Sequence, residues 1–171
     1  MQARASELES GVSERPPGLT HVDAAGAARM VDVSGKPVTA REATATGRVL
    51  VSAEVVALLR GDGVPKGDAL AVARLAGIQA AKRTPELVPL AHPVAVHGVR
   101  VDLDVADDGV DIRATVRTAD RTGVEMEAMT CVVVAGLALV DMVKAVDRTA
   151  EITAVRVVAK SGGRSGDWRR D

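Results

Sequence analysis

Asp141 and Lys144 stand three residues apart inside apolar sequence, with Leu139, Val140, Met142 and Val143 around them. On a helix that spacing makes them neighbours on one face. Such a pair has two uses. It is a structural ion pair, because two opposite charges are buried together at less cost than either alone, or it is an acid/base couple whose proton affinities are set by burial and by each other. Upstream, Gly123-Val124-Glu125-Met126-Glu127 opens the same apolar run. Acidic side chains in a first helical turn match the positive end of the helix dipole, worth roughly 0.3 to 1 kcal/mol each. Two acids flanking a methionine also suit a ligand ring that offers amino groups, since carboxylates accept hydrogen bonds. From Glu127 to Asp141 a helix rises about 1.5 Å per residue, roughly 21 Å in all. One small ligand does not span that, so if both clusters serve one site, neighbouring chains must bring opposite helix ends together.

Pro89-Leu90-Ala91-His92-Pro93 holds an imidazole between two prolines that stiffen the backbone. A framed loop histidine suits proton transfer or a phosphate contact, and it serves equally as a turn residue. Lys66 comes just before a helix start, where the dipole disfavours a cation; a bound anion shared by the lysine and the helix end would explain it. Lys160-Ser161-Gly162-Gly163-Arg164-Ser165-Gly166 leaves the last strand as a glycine-rich loop with two cations, able to aim backbone N–H groups and charge at phosphates. Its spacing is not that of a Walker A loop, and Gly61-Asp62-Gly63 lacks the third glycine of a dinucleotide fingerprint. His21, His92 and His97 are too scattered to make a metal site, so no metal and no cofactor are expected.

The elements that must position these groups are read from periodicity. Met30 to Val33 is expected as a short strand before the turn Ser34-Gly35-Lys36-Pro37, and Ala43 to Val51 as a second, β-branched one. Ser52 caps a short helix, Ala53 to Arg60, that Gly61 ends. Asp68 caps another, running to about Arg83 and stopped by Thr84-Pro85. Val99 to Val105 and Val110 to Thr118 alternate without a fault around Asp108-Gly109, a hairpin with one buried face. A long helix from about Val124 to Val146 and a strand from Ile152 to Ala159 close the chain. The fold class expected is α+β, a ferredoxin-like split βαβ subunit with an antiparallel sheet, helices on one face and an extra N-terminal strand. Between Ala128 and Val140 no residue is charged, a stretch short of the about 20 apolar residues that cross a bilayer. A helix apolar all round needs cover on both sides, and a two-layer domain covers one. A homo-oligomer follows.

Composition narrows the function. The 171 residues are 47% hydrophobic and 26% charged, ordinary for a globular domain. Residues 1–18 read as a flexible lead-in without the apolar core of a signal peptide, 19–166 as one domain and 167–171 as a tail; a cytoplasmic location is expected. The net charge of −1 gives no global field toward nucleic acid or membrane. With no Phe, no Tyr and only Trp168, the chain lacks stacking platforms for bases and an aromatic membrane belt. Lone Cys131, inside an apolar run, excludes an internal disulfide and reads as a buried, inert thiol.

Taken together, these blocks resemble a known family. Leu19-Thr20-His21, Met30-Val31-Asp32-Val33, Lys66-Gly67-Asp68, Ala76 to Thr84, Pro89 to Pro93, Gly123 to Ala128, Asp141 to Val146 and Lys160 to Gly166 are similar to the signature blocks of the cyclic pyranopterin monophosphate synthases, the molybdenum cofactor biosynthesis protein C family. The resemblance implies a hexamer, a trimer of dimers of ferredoxin-like subunits with sites at the dimer interface. It implies a lyase-type reaction in which 3′,8-cyclo-7,8-dihydroguanosine 5′-triphosphate becomes cyclic pyranopterin monophosphate and pyrophosphate, with no nucleic acid or membrane partner. By position, Asp141, Lys144, Lys66 and His92 resemble catalytic residues. Leu90, Ala91, His92, Glu125, Met126, Glu127, Arg41 and Lys160 resemble substrate contacts. The family often has Cys where this chain has Ala91, which implies that no thiol acts there. The alternative is a non-catalytic oligomeric binder of a phosphorylated, nucleotide-like ligand; a sheet-binding RNA module lacks the aromatics it needs.

Overall fold

Val110, Ile112, Ala114 and Val116 alternate with Asp111, Arg113, Thr115 and Arg117, and the first four are buried while both arginines and the aspartate are exposed. That two-residue period makes a strand with one covered face. The computed structural model describes residues 25–61, 64–164 and 166–171. It divides into two compact units, Met1–Val31 and Asp32–Asp171, and every named element lies in the second.

The elements run β1 (Thr39–Leu50), α1 (Ala53–Arg60), α2 (Ala69–Ala81), α3 (Thr84–Leu87), β2 (Val96–Val105), β3 (Gly109–Asp120), α4 (Glu125–Val143), β4 (Glu151–Ser161) and β5 (Trp168–Arg169). The sheet order is β2-β3-β1-β4-β5, and every pairing is antiparallel. β1 and β2 therefore run the same way with β3 between them, and the helices join strands that are not sheet neighbours. The β2–β3 hairpin turns before Gly109, with Val105 opposite Val110. α4 packs on β1, β3 and β4, and α2 packs on α4 and β2. The other face carries rows of paired charges, among them Arg48 with Asp108 and Asp111, and Arg117 with Glu42.

Several expectations are corrected here. Residues 30–33 form no strand among the described residues, because the Asp32 carboxylate accepts from Ser34 N–H at 2.8 Å and Lys36 N–H donates to Val33 O at 3.0 Å, which turns the backbone instead. Thr84-Pro85 both ends α2 and starts α3, where proline occupies the first turn without losing a hydrogen bond. Helix α4 stops at Val143, three residues early. The expected tail contains β5, held against β4 with Trp168 opposite Lys160. The expected lead-in 1–18, the block at Leu19 to His21, and Asp62, Gly63 and Ser165 lie outside the described residues.

Without aromatic rings, the interior is filled by Val, Ala, Leu, Ile and Met. Such a core demands close backbone approach. At Gly77 on α2, a Cβ would lie 2.9 Å from the carbonyl oxygen of Cys131 and 3.1 Å from Ala135 Cβ on α4. Cys131 is fully buried there, and burial pushes its thiol up to about 12, which removes it as a nucleophile. By length and composition α4 is apolar enough to cross a membrane, although its charge-free stretch looked too short, yet half of it is buried inside this fold. Gly77→Val forces the two helices apart, and we expect it to lower stability by about 2 kcal/mol, read as an earlier midpoint in urea unfolding.

Candidate functional site

The C-terminal end of α4 gathers the first cluster. Lys144 Nζ lies 2.6 Å from Asp141 Oδ1, and Lys66 Nζ donates to Asp141 Oδ2 at 3.1 Å and to its carbonyl oxygen at 2.7 Å. The three-residue spacing thus delivers the expected pair. Their setting differs from the sequence expectation: the Asp141 and Lys144 side chains are 56% and 59% exposed. Charge, not burial, tunes the aspartate, whose carboxyl is held below the usual range by hydrogen bonds from Lys144 and then Lys66. The same contacts explain Lys66, because a carbonyl at the negative end of α4 attracts a cation that the start of α2 does not.

The N-terminal end of α4 holds a second cluster. Lys160 Nζ, on β4, lies 3.0 Å from Glu125 Oε1. Arg41, on β1, donates through Nε to Asp120 O at 2.9 Å and through a terminal nitrogen to Arg121 O at 3.2 Å. Gly162 and Gly163 adopt φ of +85° and +73°, and a side chain at Gly163 would strike the Arg41 guanidinium. The positive φ favours glycine at both, and at Gly162 a side chain would also strike the Ala40 carbonyl. Arg41, Glu125, Lys160 and Gly162 line an open hollow of about 190 Å³ that also includes Lys36 and Arg121. Its lining holds four cations and two carboxylates, Glu125 paired with Lys160 and Glu42 with Arg117 on the opposite face, a balance that suits an anion rather than a metal ion.

Sequence reasoning missed Lys36 and Arg121. Arg121 Nε donates to Lys36 O at 3.0 Å across 85 positions, and no local motif encodes that. Met126 is 41% exposed beside this cluster. Glu127, expected to meet ligand as Glu125 does, is only 3% exposed. Two positions along a helix turn a side chain by about 200°, so the two acids point apart. Burial, and secondarily the nearby Glu125 charge, pushes the Glu127 carboxyl up to about 7.

Leu90, Ala91 and His92 occupy the half-buried loop between α3 and β2. His92 lies close enough to Asp32 for its charge to help hold that carboxyl low, after the larger effect of Ser34. The loop is tied to the N-terminal cluster's strands, since Thr118 Oγ1 donates to Ala95 O at 2.6 Å and Ala95 N–H to Asp120 Oδ2 at 3.4 Å.

Apart from Leu90, Ala91 and His92, the candidate residues form two groups at opposite ends of α4. Glu125 and Asp141 are separated by about 24 Å of helix. The hollow at the N-terminal group, about 190 Å³, falls short of the roughly 300–1,000 Å³ that encloses a small organic ligand. Glu127 also has a stability signature. Its folded pKa of about 7 exceeds the ordinary 4.5, so its contribution is full below pH 4.5 and is lost as pH rises through 7. Glu127→Gln should therefore gain thermal stability over the parent on going from pH 5 to pH 8; differential scanning calorimetry showing a pH-independent gap would refute that burial.

Comparison with known proteins follows the same residues. The MoaC family model matches residues 30–163. A Streptomyces coelicolor protein named cyclic pyranopterin monophosphate synthase is 72% identical over 152 residues, 89% of each chain. A Nocardioides protein of that name is 68% identical over 93% of this chain and 99% of its own. One from Chloroflexus aurantiacus is 55% identical over 93% and 99%. The match takes in both ends of α4, the histidine loop and the glycines beside Arg41, and the chain belongs to the MoaC family.

Proposed function

We propose that this chain is a lyase of molybdenum cofactor biosynthesis that converts 3′,8-cyclo-7,8-dihydroguanosine 5′-triphosphate to cyclic pyranopterin monophosphate and pyrophosphate. The observation that carries the reading is the division of charge along α4: a cation-rich hollow at one end, an exposed acid/base pair at the other. The first suits a triphosphate, the second a proton transfer. The family likeness over most of the chain supports the same assignment.

In this reading the ring-opening step needs a proton at the leaving nitrogen. Lys144 supplies it, and Asp141 relays it and keeps the lysine in place, within a contact of 2.6 Å. Closing the cyclic phosphate has a hydroxyl oxygen attack the α-phosphorus, its proton passing to water, while pyrophosphate departs with the electrons of the bond it breaks. Negative charge spreads over the leaving group, and Arg41, Lys160, Lys66 and His92 stabilise it. Lys36 and Arg121 extend that cationic wall. Glu125 accepts from the ring's amino groups together with the Met126 segment, while Leu90 and Ala91 flank the ring. Glu127, whose carboxyl burial pushes up to about 7, supports the helix start behind them.

The interleaved order of the strands supports a ferredoxin-like subunit, and in this reading it acts in the cytoplasm as a hexamer, a trimer of dimers whose sites lie between chains. The roughly 24 Å between half-sites supports that arrangement. The rival reading, a binder without catalysis, releases no product.

Pyrophosphate release from purified substrate separates the two. We expect steady release by the parent and a loss of about 10²- to 10⁴-fold in Lys144→Ala; parental rates in that variant would take Lys144 out of the chemistry. Co-expressed Lys144→Ala and Lys160→Ala chains should recover about a quarter of parental activity, because random pairing in a two-fold dimer leaves one site in four intact.

A further inference from the structure

Strand β4 is covered along only part of its outer edge. One side pairs with β1 from Glu151 to Ser161, and on the other β5 sets Arg169 opposite Ala159 and Trp168 opposite Lys160. Arg170 extends the join, since its N–H donates to Val158 O at 2.8 Å and its Nε to Val157 O at 2.9 Å. From Glu151 to Arg156 the same edge has no strand partner among the described residues. Residues 167–170 are thus laid against the stretch of β4 that carries Lys160, a cation of the anion hollow.

The turn that joins the two strands is fastened from within. Gly162 N–H donates to Asp167 Oδ1 at 3.2 Å, and Gly166 N–H to Gly163 O at 3.2 Å. Gly163 lies so close to the Arg41 guanidinium that no Cβ fits between them. The same guanidinium donates to Asp120 O and Arg121 O, so Arg41 is held by two carbonyls and bounded by the turn. Paired glycines have more conformational freedom to lose than any other residues. A side-chain anchor on Gly162 therefore decides where the turn, and with it the boundary of Arg41, comes to rest. Asp167 also lines, with Lys160 and Ser161, a neighbouring hollow of about 330 Å³, which puts its charge close to that cation.

We propose that Asp167 is a positioning residue of the anion hollow: by accepting from Gly162 N–H it fixes the glycine turn against Arg41 and so sets the cationic wall that receives pyrophosphate. The proposal rests on the functional reading above and adds a residue that acts through the backbone rather than on the ligand. Its charge and its hydrogen bond pull in opposite directions. A carboxylate near an anion weakens binding by Coulomb repulsion, whereas a fixed turn strengthens it, and the sign of the mutational effect separates the two.

Calorimetric titration of the full-length protein with inorganic pyrophosphate reads that sign. Asp167→Ala removes both the charge and the bond, and Kd should rise about 3- to 10-fold, the range of one lost hydrogen bond. Asp167→Asn removes the same charge but keeps a carbonyl oxygen for Gly162 N–H, and it should bind at least as tightly as the parent. In an Arg41→Ala background the further change Asp167→Ala should cost less than about twofold, because residues that act through one another are not additive. Binding by Asp167→Ala at parental strength or tighter, an Asn variant as weak as the Ala one, or a full penalty in the absence of Arg41 overturns the proposal. A parent that binds pyrophosphate yet releases none from substrate removes the catalytic reading and leaves Asp167 in its role. A parent that binds no pyrophosphate removes both.

Discussion

The length of one rigid helix governs this molecule. Helix α4 carries Glu125 at its first residue and Asp141 near its last, and a continuous hydrogen-bonded rod holds them about 24 Å apart. No side-chain motion closes that gap. Each end has its own local logic: Glu125 at the positive pole, paired with Lys160, and Lys66 drawn to the carbonyl of Asp141 at the negative pole. On the proposed reading, the two groups meet one ligand only where a neighbour contributes the complementary end, which would tie catalysis to assembly.

The aromatic-free interior is what keeps the rod in place. Small side chains, Ala43, Ala45, Ala114 and Val116 in the sheet and Ala128, Ala135 and Val132 in the helix, are all essentially sealed from solvent. Packing of this kind gains its energy from short distances rather than large surfaces. It tolerates extra volume poorly at the α2–α4 contact. It also leaves few large groups to cover the outer side of α4, so that side stays apolar and open.

Much of this architecture was legible before any coordinates. The faultless alternation of Val99 to Val105 and Val110 to Thr118 determines two strands and their buried face, since a slip of one residue would bury charge. Asp141 and Lys144 were readable as neighbours because helical spacing guarantees it. What escaped was non-local or two-valued. Pro85 breaks one helix and begins another, and residues alone do not choose. Lys36 and Arg121 reach the hollow through a contact spanning 85 positions. Glu125 and Glu127 looked equivalent as a motif, although helical periodicity already set them on different sides. The expected burial of Asp141 failed because apolar neighbours in sequence flank a helical residue without necessarily covering it.

Trp168 gives this scarcity of rings an optical meaning. It is the only Trp, in a chain with no Tyr or Phe, and it sits in β5 directly across from Lys160, with the Arg170 guanidinium 5.5 Å from its ring centre. Ultraviolet emission from the native protein therefore comes from a single chromophore one strand away from a cation of the hollow. Events at that cation can be followed by light without attaching a dye.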